Sequence, residues 1–293
     1  AVSLAGTRAY DATTAVAASN FTIGTPLVGS ETLGLTGSGT LADKNVGQNK
    51  SVGRGTLTLV DGTAGGLASN YALTGSRTAT ITRAAISSVS GITATNKTYD
   101  GNDTATLVTS GATFNGMFNG DALNVATSSG VFSDARAAVG KTVSISGITL
   151  GGADAGNYTL TTSTASTTAT IDPKALTVTA LSQTKVYDSN TSVASNALNV
   201  GYSVGTMIGS ESLSGVTLAY SDANVSRNGS GAVLSNKTIA VSVAQATAGT
   251  VLSDYAISYV NNTSSTITPF VVSLTGGRAY DATTSVSAAN LTI

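Results

Sequence analysis

One dipeptide divides this chain. Tyr-Asp occurs at Tyr10-Asp11, Tyr99-Asp100, Tyr187-Asp188 and Tyr280-Asp281, each time with a basic residue two places before the tyrosine: Arg8, Lys97, Lys185 and Arg278. The four tyrosines are 89, 88 and 93 residues apart, the length of a small domain and far more than one coil of a solenoid. The chain therefore reads as a tandem array.

Other landmarks recur in the same order. A first acidic position falls at Glu31, Asp121 and Glu211, a second at Asp43, Asp134 and Asp222, and a second tyrosine at Tyr71, Tyr158 and Tyr255. Each unit closes on a Thr-rich alternating segment ending at Ile81, Ile171 or Ile267. These set the boundaries at 1–83, 84–173 and 174–269, with 270–293 as the start of a fourth repeat. That last piece repeats the opening of the chain rather than its nearest neighbour: at an offset of 270, 16 of the 22 residues from Val2 to Ile23 are identical. The expected natural unit is a block of three unlike domains within a longer chain. A lone fragment of this length has too few residues for a core, so its order is expected to depend on a completing repeat or a neighbouring chain.

Helix signals are nearly missing, whereas Thr, Val, Ser and Gly supply short alternating strands separated by turns. Roughly seven or eight such strands per repeat predict an all-β array of small, Ig-like β-sandwich domains forming an elongated rod. A parallel β-helix is the competing reading, but it calls for self-similarity at about 20–25 residues, and the period is near 90. Closing and opening strands of successive repeats are separated by a few residues, and Pro173 and Pro269 stiffen two of the three joints.

Composition narrows the function classes. Charged residues make up 10 % of the 293, with 14 basic against 15 acidic and a net charge of -1, so a clustered basic face for nucleic acid or an anionic membrane is not expected. No run of about 20 apolar residues suggests membrane insertion. With no His and no Cys, a Ser-His-Asp triad, a thiol nucleophile and the usual zinc sites are excluded. Ser182-Gln183-Thr184-Lys185 matches S-x-x-K only formally, because it lies in a strand where that motif needs a helical turn. Calcium needs six to eight oxygens, and Asp100 with Asp103 is the nearest approach to a carboxylate cluster. Turn formation, or pairing with Lys50, Lys141 and Lys237, explains the recurring acids more simply. No catalytic, cofactor-binding or metal-binding residue is predicted, and the chain does not read as an enzyme.

The recurring residues are instead read as structural anchors: Tyr10, Asp11, Tyr71, Tyr99, Asp100, Tyr158, Tyr187, Asp188, Tyr255, Tyr280 and Asp281. Buried tyrosines hold β-domain corners through one hydroxyl hydrogen bond, and the basic residue two before can lie along the ring or meet a carboxylate. On this reading Tyr99→Ala unfolds repeat two and spares its neighbours. The alternative is a polysaccharide or glycan site, for which the non-recurring Tyr202, Tyr220 and Tyr259 are the candidates.

Lys-Thr-Tyr-Asp-Gly at 97–101, then Gly120-Asp121-Ala122-Leu123, Asn157-Tyr158 and Thr168-Ala169-Thr170-Ile171, resembles the Tyr-Asp-Gly repeats of very large bacterial adhesins. Gly101 keeps the third motif residue, while Ala12, Ser189 and Ala282 depart from it. Those adhesins are haemagglutinin-like proteins, often exported by two-partner secretion. The resemblance implies an extracellular place on the cell surface or in a biofilm matrix, a stalk or fibre role, and as partners the neighbouring repeats or neighbouring chains. It carries no binding residue across.

Overall fold

The computed structural model describes residues 1–193 and 201–293. The chain is all-β, 49 % strand and 5 % helical, with sheets that curl into half-barrels. Its contacts divide it into two compact units. The first comprises Ala1–Lys97, Asn102–Ala135 and Val139–Ile171, and the second Thr98–Gly101, Arg136–Ala138 and Asp172–Ile293. The Tyr-Asp-Gly segment of repeat two thus belongs with repeat three.

In repeat one a six-stranded sheet runs Ala15–Ala17, Ser38–Leu41, Gly47–Gly53, Arg77–Thr82, Leu4–Ala9, Phe21–Ile23. Arg77–Thr82 alternates as its sequence dictates, with Ala79 and Ile81 buried between threonines. It pairs in parallel with Leu4–Ala9, Leu4 facing Arg77 and Ala9 facing Thr82. The opening and closing strands of the repeat are therefore neighbours, and all the chain between them serves as the crossover that a parallel pair requires. Repeat three uses the same closure: Lys174–Ala180 lies parallel to Tyr255–Val260, and Thr184–Val186 parallel to Asn262–Thr268.

Long antiparallel pairs form the middle of repeats two and three. Ala138–Gly151 pairs with Asn124–Phe132, and Lys237–Ala246 with Leu213–Tyr220. In the first, Val143 and Ile145 are buried, and the phase then shifts so that Ile148 is buried. The slip comes from one extra residue: Ser129 faces Ser146 but Thr127 faces Thr149, and Gly147 between them has φ of 65°. Such a bulge residue belongs in the left-handed region, where glycine carries no Cβ penalty. Repeat three makes the same slip, Thr217 facing Ser242 and Gly215 facing Gln245, but puts Val243 there at φ of 48°. A β-branched residue in that region is strained. Val243 is 61 % exposed, so its side chain contributes little burial in return. Val243→Gly is expected to stabilise the second unit by up to about 1 kcal/mol, read as a higher urea midpoint at unchanged m-value. A lower midpoint would show that the strain is not there.

The first unit's main core is continuous between repeats. Tyr10, Val16, Leu41, Val52, Ala79 and Ile81 of repeat one cluster with Ile86, Val89, Ile92, Phe114, Ile145, Ile148 and Tyr158 of repeat two. In the second unit Val178, Ala180, Tyr220, Ile239, Val241 and Ile267 form a core. Residues 270–293 keep the register of their repeat-one counterparts, Thr275 facing Thr292 and Gly276 facing Leu291 as Ala5 faces Thr22 and Gly6 faces Phe21. Their surroundings differ: Tyr280 is 93 % exposed where Tyr10 is 1 % exposed.

Candidate functional site

The second tyrosine of each repeat follows a short 3₁₀ turn, Ala68–Asn70, Ala155–Asn157 or Leu252–Asp254. Its hydroxyl donates to the first recurring acid of the same repeat: Tyr71 to Glu31 at 2.5 Å, Tyr158 to Asp121 at 2.5 Å, and Tyr255 to Glu211. It also accepts from a backbone N–H three residues before that acid, from Val28 at 3.0 Å, Phe118 at 3.0 Å and Ile208 at 2.9 Å. Each acid closes a tight turn by donating its own N–H to the carbonyl of that same residue. Tyrosine, acid and turn thus form a small fixed platform.

The motif tyrosine completes the platform of the following repeat, not its own. In the first unit the Tyr10 hydroxyl donates to Asp121 at 2.8 Å. Its ring meets Tyr158 edge-on at 5.4 Å and Phe118 at 6.0 Å, a geometry that aromatic quadrupoles favour. In the second unit Tyr99 donates to Glu211 at 2.8 Å and meets Tyr255 edge-on at 5.6 Å. One carboxylate therefore accepts from two tyrosines, one from each of two successive repeats. Tyr99, expected to anchor repeat two, is held to Asp172 of that repeat by its backbone N–H and packs its side chain against repeat three.

A second clasp lies beside each latch. Val46 N–H donates to Asn157 Oδ1 at 3.0 Å, and Asn157 Nδ2 donates to Asn45 Oδ1 at 3.0 Å. At the corresponding positions Ala137 N–H donates to Asp254 Oδ1 at 2.7 Å and Arg136 donates to Asp254 Oδ2 at 2.8 Å. Cations complete both: Lys44 pairs with Asp121 and, at 3.2 Å, with Asp154, while Arg136 stands 3.5 Å from Glu211. The Asp121 and Asp254 side chains have no exposure to solvent, and buried carboxylates persist only when satisfied in this way.

The rest of the motif shapes its loop. Arg8 pairs with Asp11 and donates to the carbonyls of Ala9 and Thr13. Lys97 reaches the Asn102 carbonyl at 2.7 Å, and Lys185 reaches that of Asn190 at 2.7 Å and pairs with Asp188. The basic residues therefore staple the loop and do not lie along their own tyrosine. Lys97 and Lys185 instead stand over the Phe132 and Tyr220 rings. Asp11, Asp188 and Asp281 each accept from the N–H two residues on, an Asx turn, and Asp100 is exposed. The third motif residue is left-handed throughout, with φ of 61° at Ala12, 80° at Gly101, 62° at Ser189 and 61° at Ala282. At Gly101 there is a second reason for glycine: a Cβ would come within 2.7 Å of Ile208 Cγ2.

Not every anchor is in a latch. Tyr187 is 38 % exposed and Tyr280 93 %, and Tyr71 with Glu31 forms a platform that among the described residues meets no motif tyrosine. The second set of acids pairs with lysines, Asp43 with Lys50, Asp134 with Lys141 and Asp222 with Lys237. The recurrence of Glu31, Asp121 and Glu211 was visible in the sequence, but turn formation alone does not explain it. Asn157 and Asp254 stood out in the sequence only as the residues before the second tyrosine, and Lys44, Phe118 and Arg136 gave no recurring signal, because the chemistry differs from joint to joint.

Electrostatics keep the latch in one protonation state. Burial, followed by hydrogen bonding to Glu211 and Asp121 respectively, pushes Tyr99 and Tyr158 up to about 12. Tyr10 and Tyr255 are raised by burial too, and Tyr71 by its hydrogen bond to Glu31. Burial works to raise Asp121, but hydrogen bonds from Lys44, Tyr158 and Tyr10 prevail and hold it below the usual carboxylate range. Neutral phenols therefore face an ionised carboxylate across neutral pH. The cluster contains no nucleophile beside a free base, and among the described residues no group of His, Cys, Asp or Glu could hold a metal ion. Its chemistry is to hold two repeats together.

A family model of the YDG domain matches residues 1–80 and again 82–167. The chain belongs to the YDG domain family. The two matches abut within one residue, at the joint where Tyr10 of the first YDG domain enters the platform of the second. No curated protein and no solved structure matches the chain.

Proposed function

We propose that this chain is a mechanical element: tandem β-sandwich YDG domains forming an elongated stalk or fibre in a haemagglutinin-like, two-partner-secreted adhesin of a bacterial surface or biofilm matrix. The observation that carries this reading is the latch, in which Tyr10 and Tyr99 each bury a ring and share a carboxylate with the next repeat. A tether that merely linked domains would have no use for such contacts, whereas a load-bearing or spacing element needs successive domains to resist parting. Absence of Cys suits a chain exported unfolded, and sparse charge suits a segment without a ligand of its own.

Solution scattering on the chain, combined with a glycan array, tests the proposal. Each repeat has an expected radius of gyration of roughly 12 Å, so three in line should extend on the order of 100 Å, with no glycan retained. A compact particle would overturn the rod. Glycan binding by a folded chain would replace the stalk reading with one in which the repeats themselves adhere.

A further inference from the structure

The strands that open and close a repeat lie side by side and point the same way. In repeat one Leu4–Ala9 runs parallel to Arg77–Thr82 through six register pairs. In repeat three Lys174–Ala180 runs parallel to Tyr255–Val260 through six pairs, and Thr184, Lys185 and Val186 face Thr266, Ile267 and Thr268 in three more. Parallel order decides how tension reaches these ladders. The chain enters at the N-terminal end of an opening strand and leaves at the C-terminal end of a closing strand, and in a parallel pair those two points lie at opposite ends of the ladder. Tension therefore slides one strand along the other and strains every bond together. An antiparallel pair pulled from adjoining ends parts one bond after another.

The recurring motif sits where the ladder stops. The backbone N–H of each motif tyrosine donates to the closing segment of its repeat, Tyr10 to the Thr82 carbonyl, Tyr99 to that of Asp172 and Tyr187 to that of Thr268, each at 2.8 Å. Two residues on, the left-handed Ala12, Gly101 or Ser189 turns the chain off the strand. This bond uses only the backbone, so it is separate from what the ring does in the latch. In the first unit the two act on the same strand: the Tyr10 ring is buried on the platform around Asp121, and Leu4–Ala9 cannot slide back without withdrawing it.

We infer that the parallel ladder is a shear clamp, which makes a repeat resist tension along the chain far more than tension across it, and that the Tyr-Asp motif supplies the clamp's last bond and its end stop. The inference deepens the mechanical reading above and rests on it. It adds a property that equilibrium stability does not supply, because forced unfolding follows the barrier to unfolding and not the free-energy difference between folded and unfolded states. The clamp also explains why the motif recurs at one place in every repeat while the side chains around it change.

Single-molecule pulling on the whole chain in two directions is the test, and the absence of Cys lets thiol handles be placed at chosen sites. Asp172→Cys with Phe270→Cys loads repeat three along its parallel ladders. Ser214→Cys with Gln245→Cys pulls the antiparallel strands Leu213–Tyr220 and Lys237–Ala246 apart from adjoining ends. All four side chains are exposed. Full release lengthens the chain by about 300 Å between the first handles and about 100 Å between the second, which identifies each event. At one loading rate the first pair is expected to rupture at several-fold the force of the second. Equal forces, or a weaker first pair, overturn the inference. With the first handles, Tyr187→Pro removes the terminal N–H and should lower the rupture force, whereas Tyr187→Ala keeps that bond and should leave it unchanged. Neither should alter the force between the second handles. An unchanged force in Tyr187→Pro, or an equal loss in Tyr187→Ala, overturns the assignment of the motif to the clamp. The comparison of directions stands whether or not the proline variant folds. Failure here leaves the rod untouched, and a compact particle in scattering leaves these forces as they are.

Discussion

Tyr10→Ala is expected to destabilise the first unit by about 3–5 kcal/mol, the cost of emptying a large aromatic site in a packed core. The ring is 1 % exposed and belongs to the cluster that runs without a break from Val16 and Ile81 of repeat one to Ile145 and Tyr158 of repeat two. Its removal also strips a donor from Asp121, whose side chain is fully buried. Tyr10→Phe separates the two effects, because it keeps the ring and loses only the hydroxyl, and should cost about 1–3 kcal/mol. Urea denaturation followed by circular dichroism provides the measurement. The wild-type first unit should unfold in a single transition, since its two repeats share one core, and Tyr10→Ala should lower the midpoint of that whole transition. If repeat one alone melted early and repeat two kept its midpoint, the core would not be shared in the way the contacts indicate.

The dependence of one repeat on the next was only partly legible in the sequence. Period-two alternation in segments such as Arg77–Thr82 was enough to predict strands, and spacing of the Tyr-Asp pairs was enough to predict repeats. Alternation says which residues share a face, but it is silent on which strand lies alongside. The parallel pairing of Leu4–Ala9 with Arg77–Thr82 therefore could not be read from it. The same holds for the latch. Tyr10 and Asp121 are 111 residues apart and occupy different landmarks of different repeats, so a comparison that aligns like with like never sets them side by side. What recurs is each half of the contact, and a buried tyrosine with a hydrogen-bond partner looks the same in sequence whether the partner is in its own domain or the next. The clasp was harder still, because Asn157 with Asn45 and Asp254 with Arg136 solve one geometric problem with different chemistry. The bulge residue was hidden for a related reason: glycine at Gly147 marks a left-handed position, but Val243 at the equivalent place gives no such sign.

Alkaline pH should open the latches without any mutation. Tyr99 and Tyr158 are 4 % and 3 % exposed and are pushed up to about 12, against about 10 for a tyrosine in the unfolded chain. A group whose pKa is raised by folding holds its proton more tightly in the native state. Its contribution is thus fully present below the unfolded value and is lost as pH climbs to the folded one. The window here runs from about pH 10 to about pH 12, and each ring accounts for on the order of 2 kcal/mol across it. Tyr10 and Tyr255 are shifted in the same direction, and so is Lys44, whose ammonium is held charged mainly by Asp121, so they add to the same slope. Physically, an ionised phenol at either latch would face a carboxylate at hydrogen-bond distance in a site with little exposure to solvent, a like-charge contact with no donor between. Asp121 acts at the other end of the scale. Its pKa is lowered, so its contribution is present above about pH 3.8 and is lost only as pH falls through the lower folded value. Urea midpoints measured at intervals from pH 5 to pH 12 should therefore be nearly level up to about pH 9 and fall steeply beyond pH 10. Tyr158→Phe should lower the midpoint at neutral pH yet flatten the alkaline fall of the first unit, because one of the groups that titrate there is gone. A fall of undiminished slope in that variant would mean that alkaline unfolding of the first unit is driven by groups other than the Tyr158–Asp121 contact.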